Sequence, residues 1–564
     1  MKVKIDRLDH FGKGITKVNE IVTFVPYTLP NEEVEIEITK TKKKLNEAKS
    51  IKIYKESPKR QIPFCPYFGV CGGCDLEHMS YEDTLLFKKE KVTNILEKNK
   101  LDFPEVSIKM TNNIKFYRNK VTLKVVNGII GFYESETHNL ISIDKCSIAK
   151  EVINACLEEL KTKPLVDGEI VIRTNHNDEL LLVFNGNYNF TRDDFSKSLK
   201  IIGIVINNKT IYGDNFLITN INNALFKYSY DSFFQVNNEV ATYIFDYIKN
   251  RVNGGTILDL YCGVGTLSIM ASFNAKKVYG IEIVPNAIKN ALINAKMNKR
   301  DNVCFMLGDV AKTINKIKDK LDMIIVDPPR RGLDKITLEY LMNSNSKDII
   351  YVSCDPVTLG RDLQVLTKKY DIKEVNAFDM FPYTYHVETI ALLSLKDKEN
   401  EDIKKKAFFE NAQLLSNSFG IAPLMYGSLG LEYLTGENLN ADDIDILIPK
   451  IFITERWLLF KNVMEKHGYT LIDEHEHTFE KEGIHYSYAQ IEELESFAGI
   501  CISEIATLNT GDFCFKLLSL PQYLKVYDAS SKDGYRVNVR EKKDADKIAF
   551  IKSQLHKQEI KKKN

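Results

Sequence analysis

Cys354 stands in Val352-Ser353-Cys354-Asp355-Pro356, where the apolar run of residues 349–353 stops. A thiol at the carboxyl end of a buried strand opens toward the cleft where doubly wound sheets take ligands. Beside a cation it is favoured as thiolate, the nucleophilic form. The plainer reading of a lone cysteine is a small buried hydrophobe. Glu388, in Tyr385-His386-Val387-Glu388-Thr389, opens the last apolar run and has the chemistry of a base. A soft nucleophile and a carboxylate base together suit covalent addition followed by proton removal.

A second constellation binds rather than reacts. Asp259-Leu260-Tyr261-Cys262-Gly263-Val264-Gly265-Thr266 follows one apolar run and precedes the helical stretch 267–273. Its glycines permit a sharp turn and close backbone approach to a ligand. The spacing is not the full dinucleotide fingerprint. It fits the looser loop that holds the methionine end of S-adenosylmethionine. Glu282 ends the next strand, where a carboxylate can accept from both ribose hydroxyls. Asp309 ends the third, where an adenine amino group is read. Asp327-Pro328-Pro329-Arg330 ends the fourth, with two prolines fixing an extended loop.

A third set is Cys65-x5-Cys71-x2-Cys74 with Cys146. Four thiolates suit structural zinc or an iron–sulfur cluster, and the Cys-Gly-Gly-Cys turn permits close approach in either case. Cys156, Cys262, Cys304, Cys501 and Cys514 lie in or near apolar runs and are expected to be buried.

These residues need elements to hold them. Residues 1–57 alternate apolar and polar in short runs and predict a small β-barrel, followed by the linker Ser57-Pro58-Lys59-Arg60. Residues 58–225 predict an α+β domain carrying the cysteines, with a helix near 81–98 and strands at 121–126, 169–173 and 180–184. Residues 226–397 alternate continuous apolar runs with helical stretches, the pattern of a doubly wound parallel sheet covered on both faces. The polar run 398–406 reads as a linker. Residues 407–564 predict a further α+β domain with a Lys-rich tail. The fold class is therefore multidomain, built around a Rossmann-like α/β domain.

The 77 basic and 77 acidic residues cancel, but unevenly. Residues 401–564 hold 21 Lys+Arg and 26 Asp+Glu, leaving 56 and 51 in residues 1–400. Residues 40–60 carry nine basic residues against two glutamates, a stripe suited either to phosphate backbones or to plain solvation. No run of about 18 apolar residues suggests a membrane span, and the first residues lack the apolar core of a secretory signal. The expected location is the cytoplasm, with no membrane partner.

Taken together, residues 1–395 resemble the RNA uracil-5-methyltransferase family. The resemblance rests on the cysteine cluster, Phe234-Gln235-Val236-Asn237, the 259–265 loop, Asp327-Pro328-Pro329, Ser353-Cys354-Asp355-Pro356 and His386-Val387-Glu388. The barrel, with Gly12-Lys13-Gly14-Ile15 and Phe24-Val25-Pro26-Tyr27-Thr28-Leu29-Pro30, resembles the OB-like TRAM module that binds RNA. The resemblance implies that Gln235, Tyr261, Glu282 and Asp327 bind S-adenosylmethionine, with Thr266 and Asp309 beside it. Thr266 departs from the Asn often found there. It implies Cys354 as nucleophile and Glu388 as base, and Cys65, Cys71, Cys74 and Cys146 as ligands of a 4Fe-4S cluster. It implies an RNA substrate, 23S ribosomal RNA before transfer RNA, with Arg118 and Lys120 as candidate phosphate contacts.

Beyond residue 397, Tyr426-Gly427-Ser428-Leu429-Gly430 precedes Asp442-Asp443-Ile444-Asp445. A Gly-Ser turn followed by Asp-x-Asp resembles the nucleotidyltransferase fold, in which Asp443 and Asp445 would hold a divalent metal. The segment 484–489, where a third carboxylate is expected, has none, which favours a degenerate, non-catalytic domain.

Overall fold

The computed structural model describes residues 1–135, 137–396, 399–437, 439, 441–511, 513–532 and 544–556. The chain forms two compact units, residues 1–396 and 397–564. The Lys-rich tail at 557–564 lies outside the described residues.

Alternation builds the first sheet. Glu33–Lys42 and Leu45–Lys55 pair antiparallel, and six strands between Lys2 and Lys55 curl around Ile5, Val18, Val25, Val34, Ile36 and Ala48. A seven-stranded sheet follows, its inner strands Lys120–Val126, Gly168–Thr174, Leu180–Asn185 and Ile201–Ile206. The helix Glu151–Leu160 covers one face of it through Ile153, Cys156, Leu157 and Leu160. Its other face shares a core with the next sheet through Val171, Leu181, Val183 and Val205.

That next sheet positions the chemistry. Its order is Val303–Leu307, Lys277–Glu282, Thr256–Leu260, Met323–Val326, Asp348–Ser353, Glu388–Leu395, Tyr370–Phe378 and Ser107–Lys109. The first five are parallel; Glu388–Leu395 runs antiparallel between Asp348–Ser353 and Tyr370–Phe378. The five parallel strands are largely apolar because helices cover both faces.

The expected boundary at 225/226 does not separate independent pieces. Residue 225 falls inside Ala224–Ser229, which pairs with Phe216–Ile221 in a hairpin packed on the large sheet's core. Ser107–Lys109 is an edge strand of that same sheet. The helix Tyr81–Lys98, N-capped by Ser80 through Asp83 N, buries Val92 and Leu96 in it. Long-range packing overrides sequence order here. The expected linker at 398–406 is also corrected: a helix, Glu399–Phe419, begins there.

The irregular segment 379–387 leads into Glu388 and is anchored from the helix Tyr81–Lys98. Lys88 Nζ pairs with Asp379 Oδ1 and donates to Phe381 O at 2.8 Å, and Tyr81 Oη donates to Asp379 Oδ2 at 2.7 Å. Both ionic side chains are fully buried. Tyr383, in left-handed backbone (φ 63°), presents its carbonyl to Asp75 N and Leu76 N at 3.0 and 2.9 Å. A bulky residue in that conformation costs about 1–3 kcal/mol and persists only where its surroundings fix it.

The second unit holds its own seven-stranded sheet, with Ile444–Ile448 between Ile484–Gln490 and Leu424–Met425. Its core includes Phe408, Phe460, Phe479 and Phe515. No helix among the described residues is long and apolar enough to cross a membrane.

Removing one partner of the buried pair strands a charge. Lys88→Met or Asp379→Asn alone is expected to lower unfolding free energy by about 3–5 kcal/mol. The double variant Lys88→Met/Asp379→Asn should lose markedly less than the sum, read by urea denaturation. Additive losses would mean the pair is not coupled.

Candidate active site

Register brings the reactive pair together. Ser353 lies opposite Thr389 in the antiparallel ladder, so Cys354 and Glu388 are the next residues out on neighbouring strands. Asp355 caps the helix Pro356–Leu366 by accepting from Val357 N at 2.9 Å, and Pro356 supplies its first turn. This stops the strand at Cys354. Asp327 follows the adjacent strand, its amide donating to Leu260 O at 3.3 Å.

Electrostatics agree with the grouping. Burial, then Glu388 and Asp327, pushes the Cys354 thiol up to about 11, with Arg330 opposing. Burial, then Asp327, pushes Glu388 up to about 8, again with Arg330 opposing. Burial pushes Asp327 up to about 7. The expected thiolate is thus a thiol in the free protein. The carboxylates beside it and the loss of water disfavour the anion.

The loop residues converge on the same sheet edge. Tyr261 takes left-handed backbone (φ 65°), and Gly265 (φ 82°) opens the helix Thr266–Ser272. A Cβ at Gly265 would lie 2.6 Å from Phe305 Cζ, so only glycine fits. Glu282 accepts from Gly263 N at 3.0 Å and Val284 N at 2.8 Å, which fixes its carboxylate against the loop. Tyr261, Thr266, Glu282 and Asp309 are all half-buried at this edge. Apolar Ile283 and Val284 stand open beside Glu282, at 59% and 49% exposure, a surface a flat apolar ring would cover. Beneath the loop, Asp259 is fully buried and accepts from Ser268 Oγ at 2.5 Å, while its Oδ1 has no partner. Burial pushes it up to about 7.

Gln235 is held by main-chain contacts. Asn119 Nδ2 donates to Gln235 O and Asn119 N to Val236 O, both at 3.0 Å. Phe234 stacks on Tyr228 at 4.3 Å, and buried Arg173 donates to Ser229 O and Ser232 O.

The four cysteines are elsewhere in the same unit. Cys65, Cys71, Cys74 and Cys146 line one cavity of about 360 Å³. Burial, opposed by a backbone hydrogen bond from Gly73, pushes Cys71 up to about 11, and burial also raises Cys74 and Cys146. A side chain at Gly72 would stand 3.1 Å from Ser135 Cα, whereas one at Gly73 would meet Cys71 Sγ at an ordinary 3.5 Å. Among the described residues, no three His, Cys, Asp or Glu side chains are grouped as ligands of one metal ion. Arg118 and Lys120, expected as surface phosphate contacts, are half-buried on the wall of this cavity. Arg118 Nε is spent on Lys120 O at 3.0 Å.

Within the basic stripe, Arg60 is withdrawn by its pair with buried Glu32, and Lys42 and Lys49 pair with Glu47 and Glu37. Of the cysteines expected to be buried, Cys156 and Cys262 are, Cys501 and Cys514 are half-buried, and Cys304 is exposed on an edge strand. In the second unit, Gly427 (φ 62°) sits so close to Asp445 that any side chain there would collide with its carboxylate. Ser487 lies opposite Asp445 in the parallel ladder, and His485 Nδ1 is 3.7 Å from Asp443 Oδ1.

Two groups carry no sequence signal of their own. Arg330 is visible only as the end of Asp-Pro-Pro-Arg. Arg173 reveals itself only by burial.

An acid whose folded pKa is raised stabilises the fold fully at low pH and loses that contribution as pH climbs through the folded value. Glu388→Gln should therefore leave the melting temperature near wild type at pH 5. It should raise it by a few degrees at pH 9, the scale of about 1–2 kcal/mol in a chain of this size. Equal shifts at both pH values would show that Glu388 is not held protonated.

With this geometry in view, the chain's relatives can be set beside it. Residues 80–396 match the family model for tRNA (uracil-5-)-methyltransferase, and residues 1–59 that for the TRAM domain of tRNA (uracil(54)-C(5))-methyltransferase. An uncharacterized RNA methyltransferase of Staphylococcus aureus (strain MSSA476) is 34% identical, covering 69% of this chain and 96% of its own. One from Clostridium acetobutylicum is 35% identical, covering 70% and 97%. The crystal structure of Pyrococcus abyssi tRNA (uracil-54, C5)-methyltransferase in complex with S-adenosyl-L-homocysteine matches with a TM-score of 0.60 and 27% identity, over 70% of this chain and all of that one. The sheet, its loop and the matched span agree: the chain belongs to the tRNA (uracil-5-)-methyltransferase family, S-adenosylmethionine-dependent enzymes acting on RNA, and begins with a TRAM domain.

Proposed function

We propose that this enzyme methylates carbon 5 of a uridine in 23S ribosomal RNA through a covalent Cys354–uracil adduct. The observation that carries the adduct is the register that sets Cys354 beside Glu388 at the sheet edge. Gln235, Tyr261, Thr266, Glu282, Asp309 and Asp327 hold S-adenosylmethionine, which when bound supplies an electrophilic methyl on a cationic sulfur.

Carbon 5 of uracil is a poor nucleophile until carbon 6 is attacked. Cys354 Sγ, as thiolate, bonds to carbon 6, and the electron pair of the 5,6 double bond moves to give an enolate rich at carbon 5. Carbon 5 then takes the methyl group. Glu388, as carboxylate, removes the carbon 5 proton. The freed pair re-forms the double bond and expels Cys354 as thiolate. Asp327, close enough to raise both Cys354 and Glu388, orients the ring. The uridine must leave its stack to reach Cys354.

Cys65, Cys71, Cys74 and Cys146 hold a 4Fe-4S cluster, which when bound supplies a rigid four-point crosslink and takes no part in methyl transfer. The donor set supports this: four half-buried cysteines line one cavity, and burial raises the thiols of Cys71, Cys74 and Cys146, so a cationic group there would favour their thiolates. Exposed lysines of residues 40–60 contact phosphate. The second unit binds without catalysing, since Ser487 and His485 stand where a third carboxylate would complete Asp443 and Asp445.

A transfer RNA substrate is the second reading. It is favoured by the barrel, whose matching model is that of tRNA (uracil(54)-C(5))-methyltransferase.

Labelled S-adenosylmethionine with unmodified large-subunit ribosomal RNA and with transfer RNA decides between them. Label in 5-methyluridine of ribosomal RNA alone is expected; label in transfer RNA alone would overturn the assignment. Cys354→Ala should lower the rate by at least about 10³-fold, and Glu388→Gln should trap a protein–RNA adduct that survives denaturing gels. Methylation by Cys354→Ala at the wild-type rate would sink the covalent route. Anaerobically purified protein should be brown with iron and sulfide near four each, and zinc with no visible band would overturn the cluster.

A further inference from the structure

The N-terminal barrel reaches the segment that carries the proposed base. Its turn Asp9-His10-Phe11-Gly12-Lys13 is rigid: Asp9 Oδ1 accepts from Phe11 N and Lys13 N, each at 2.8 Å. Gly12 (φ 81°) is pressed against Leu76, with no room for a side chain. Leu76 N in turn donates to Tyr383 O. The turn is thus fixed against the cysteine segment and, through it, against residues 379–387.

This places four rings in a row. His10 and Phe11 have centroids 4.1 Å apart. Phe11 meets Tyr385 edge-on at 5.2 Å and 90°. Tyr385 lies 4.2 Å from His386. Glu388 is two residues further. Phe11 is 43% exposed, so its ring is open to solvent although it meets His10 and Tyr385. Tyr385 and His386 are half-buried. Lys91 Nζ lies 5.0 Å over the Tyr385 ring and donates to Tyr385 O at 2.9 Å. Burial, with Arg330 and Lys91 next, lowers His386 to about 4, so its ring is neutral near pH 7.

We propose that His10, Phe11, Tyr385 and His386 form a stacking shelf for the unpaired nucleobases flanking the target uridine, so that the barrel supplies part of the active-site mouth. Three features fit that occupant. A flipped uridine leaves its neighbours unstacked, with flat faces to cover. Immobilised aromatic rings edged by cations are the standing platform for single-stranded nucleic acid. The row starts beside Glu388, where those neighbours must lie. The proposal rests on the RNA methyltransferase reading above.

The test uses full-length wild type, Phe11→Leu, Phe11→Trp and Tyr385→Leu. The probe is a short single-stranded RNA carrying 2-aminopurine next to a uridine, whose fluorescence falls on stacking. Wild type should quench it, and Phe11→Leu and Tyr385→Leu should weaken binding about tenfold, the scale of one lost base–aromatic stack. Phe11→Trp should restore it. The slope of binding against salt should not change, because no phosphate contact is removed. In the methylation assay the same leucine variants should raise KM for RNA, with KM for S-adenosylmethionine unmoved. Wild-type binding by Phe11→Leu, or a loss that Trp does not rescue, would overturn the shelf. Quenching by a wild type that methylates neither RNA would retain the shelf and overturn the methylation reading instead.

Discussion

The active-site end of the large sheet depends on one buried ion pair. Lys88 and Asp379 have no solvent contact, and Tyr81 Oη and Phe381 O complete their hydrogen bonds. Without regular structure, residues 379–387 have no ladder to fix them. Yet they set where Glu388 begins its strand and where Tyr385 and His386 stand. An apolar anchor would hold the segment loosely along its length; a charge that must meet its partner at a fixed point does not slide. The strained Tyr383 backbone is tolerated because Asp75 N and Leu76 N bind its carbonyl from the other side. The cysteine segment, the helix Tyr81–Lys98 and the barrel turn thus all lock onto one short stretch of chain.

The parallel sheet is legible in the sequence because its strands are continuous apolar runs ending in Asp, Glu or Cys. That pattern alone gathers Asp259, Glu282, Asp327 and Cys354 at one edge. The helix over 81–98 and the strands of the barrel are legible by the same reasoning. What local pattern does not contain is partnership. Nothing near Ser107–Lys109 says that it joins a sheet whose other strands start 147 residues later, at Thr256. Arg118 and Lys120 read as candidate phosphate contacts because their partial burial comes from segments far away in the chain. The Lys88–Asp379 pair spans 291 positions, and neither residue sits in a motif. Protonation is equally hidden. A cysteine at a strand end suggests a thiolate, but Glu388 and Asp327 beside it reverse the preference.

That reversal bears on how the proposed chemistry begins. Near pH 7 the free protein holds Cys354 as a thiol and Glu388 largely as an acid, with Asp327 near its midpoint. The charge of Arg330 opposes the rise at Cys354 and at Glu388. Neither the attack nor the proton removal can start from that state. Bringing a sulfonium cation to the same edge adds a positive charge beside all three and favours their anions. On the proposed route the thiolate is therefore favoured when the methyl donor is present. A thiol left ionised in a site built to open toward RNA would be exposed to oxidants between turnovers. In the proposed reaction, burial among carboxylates would keep Cys354 a thiol at rest, and the donor's positive charge would favour the reactive anion.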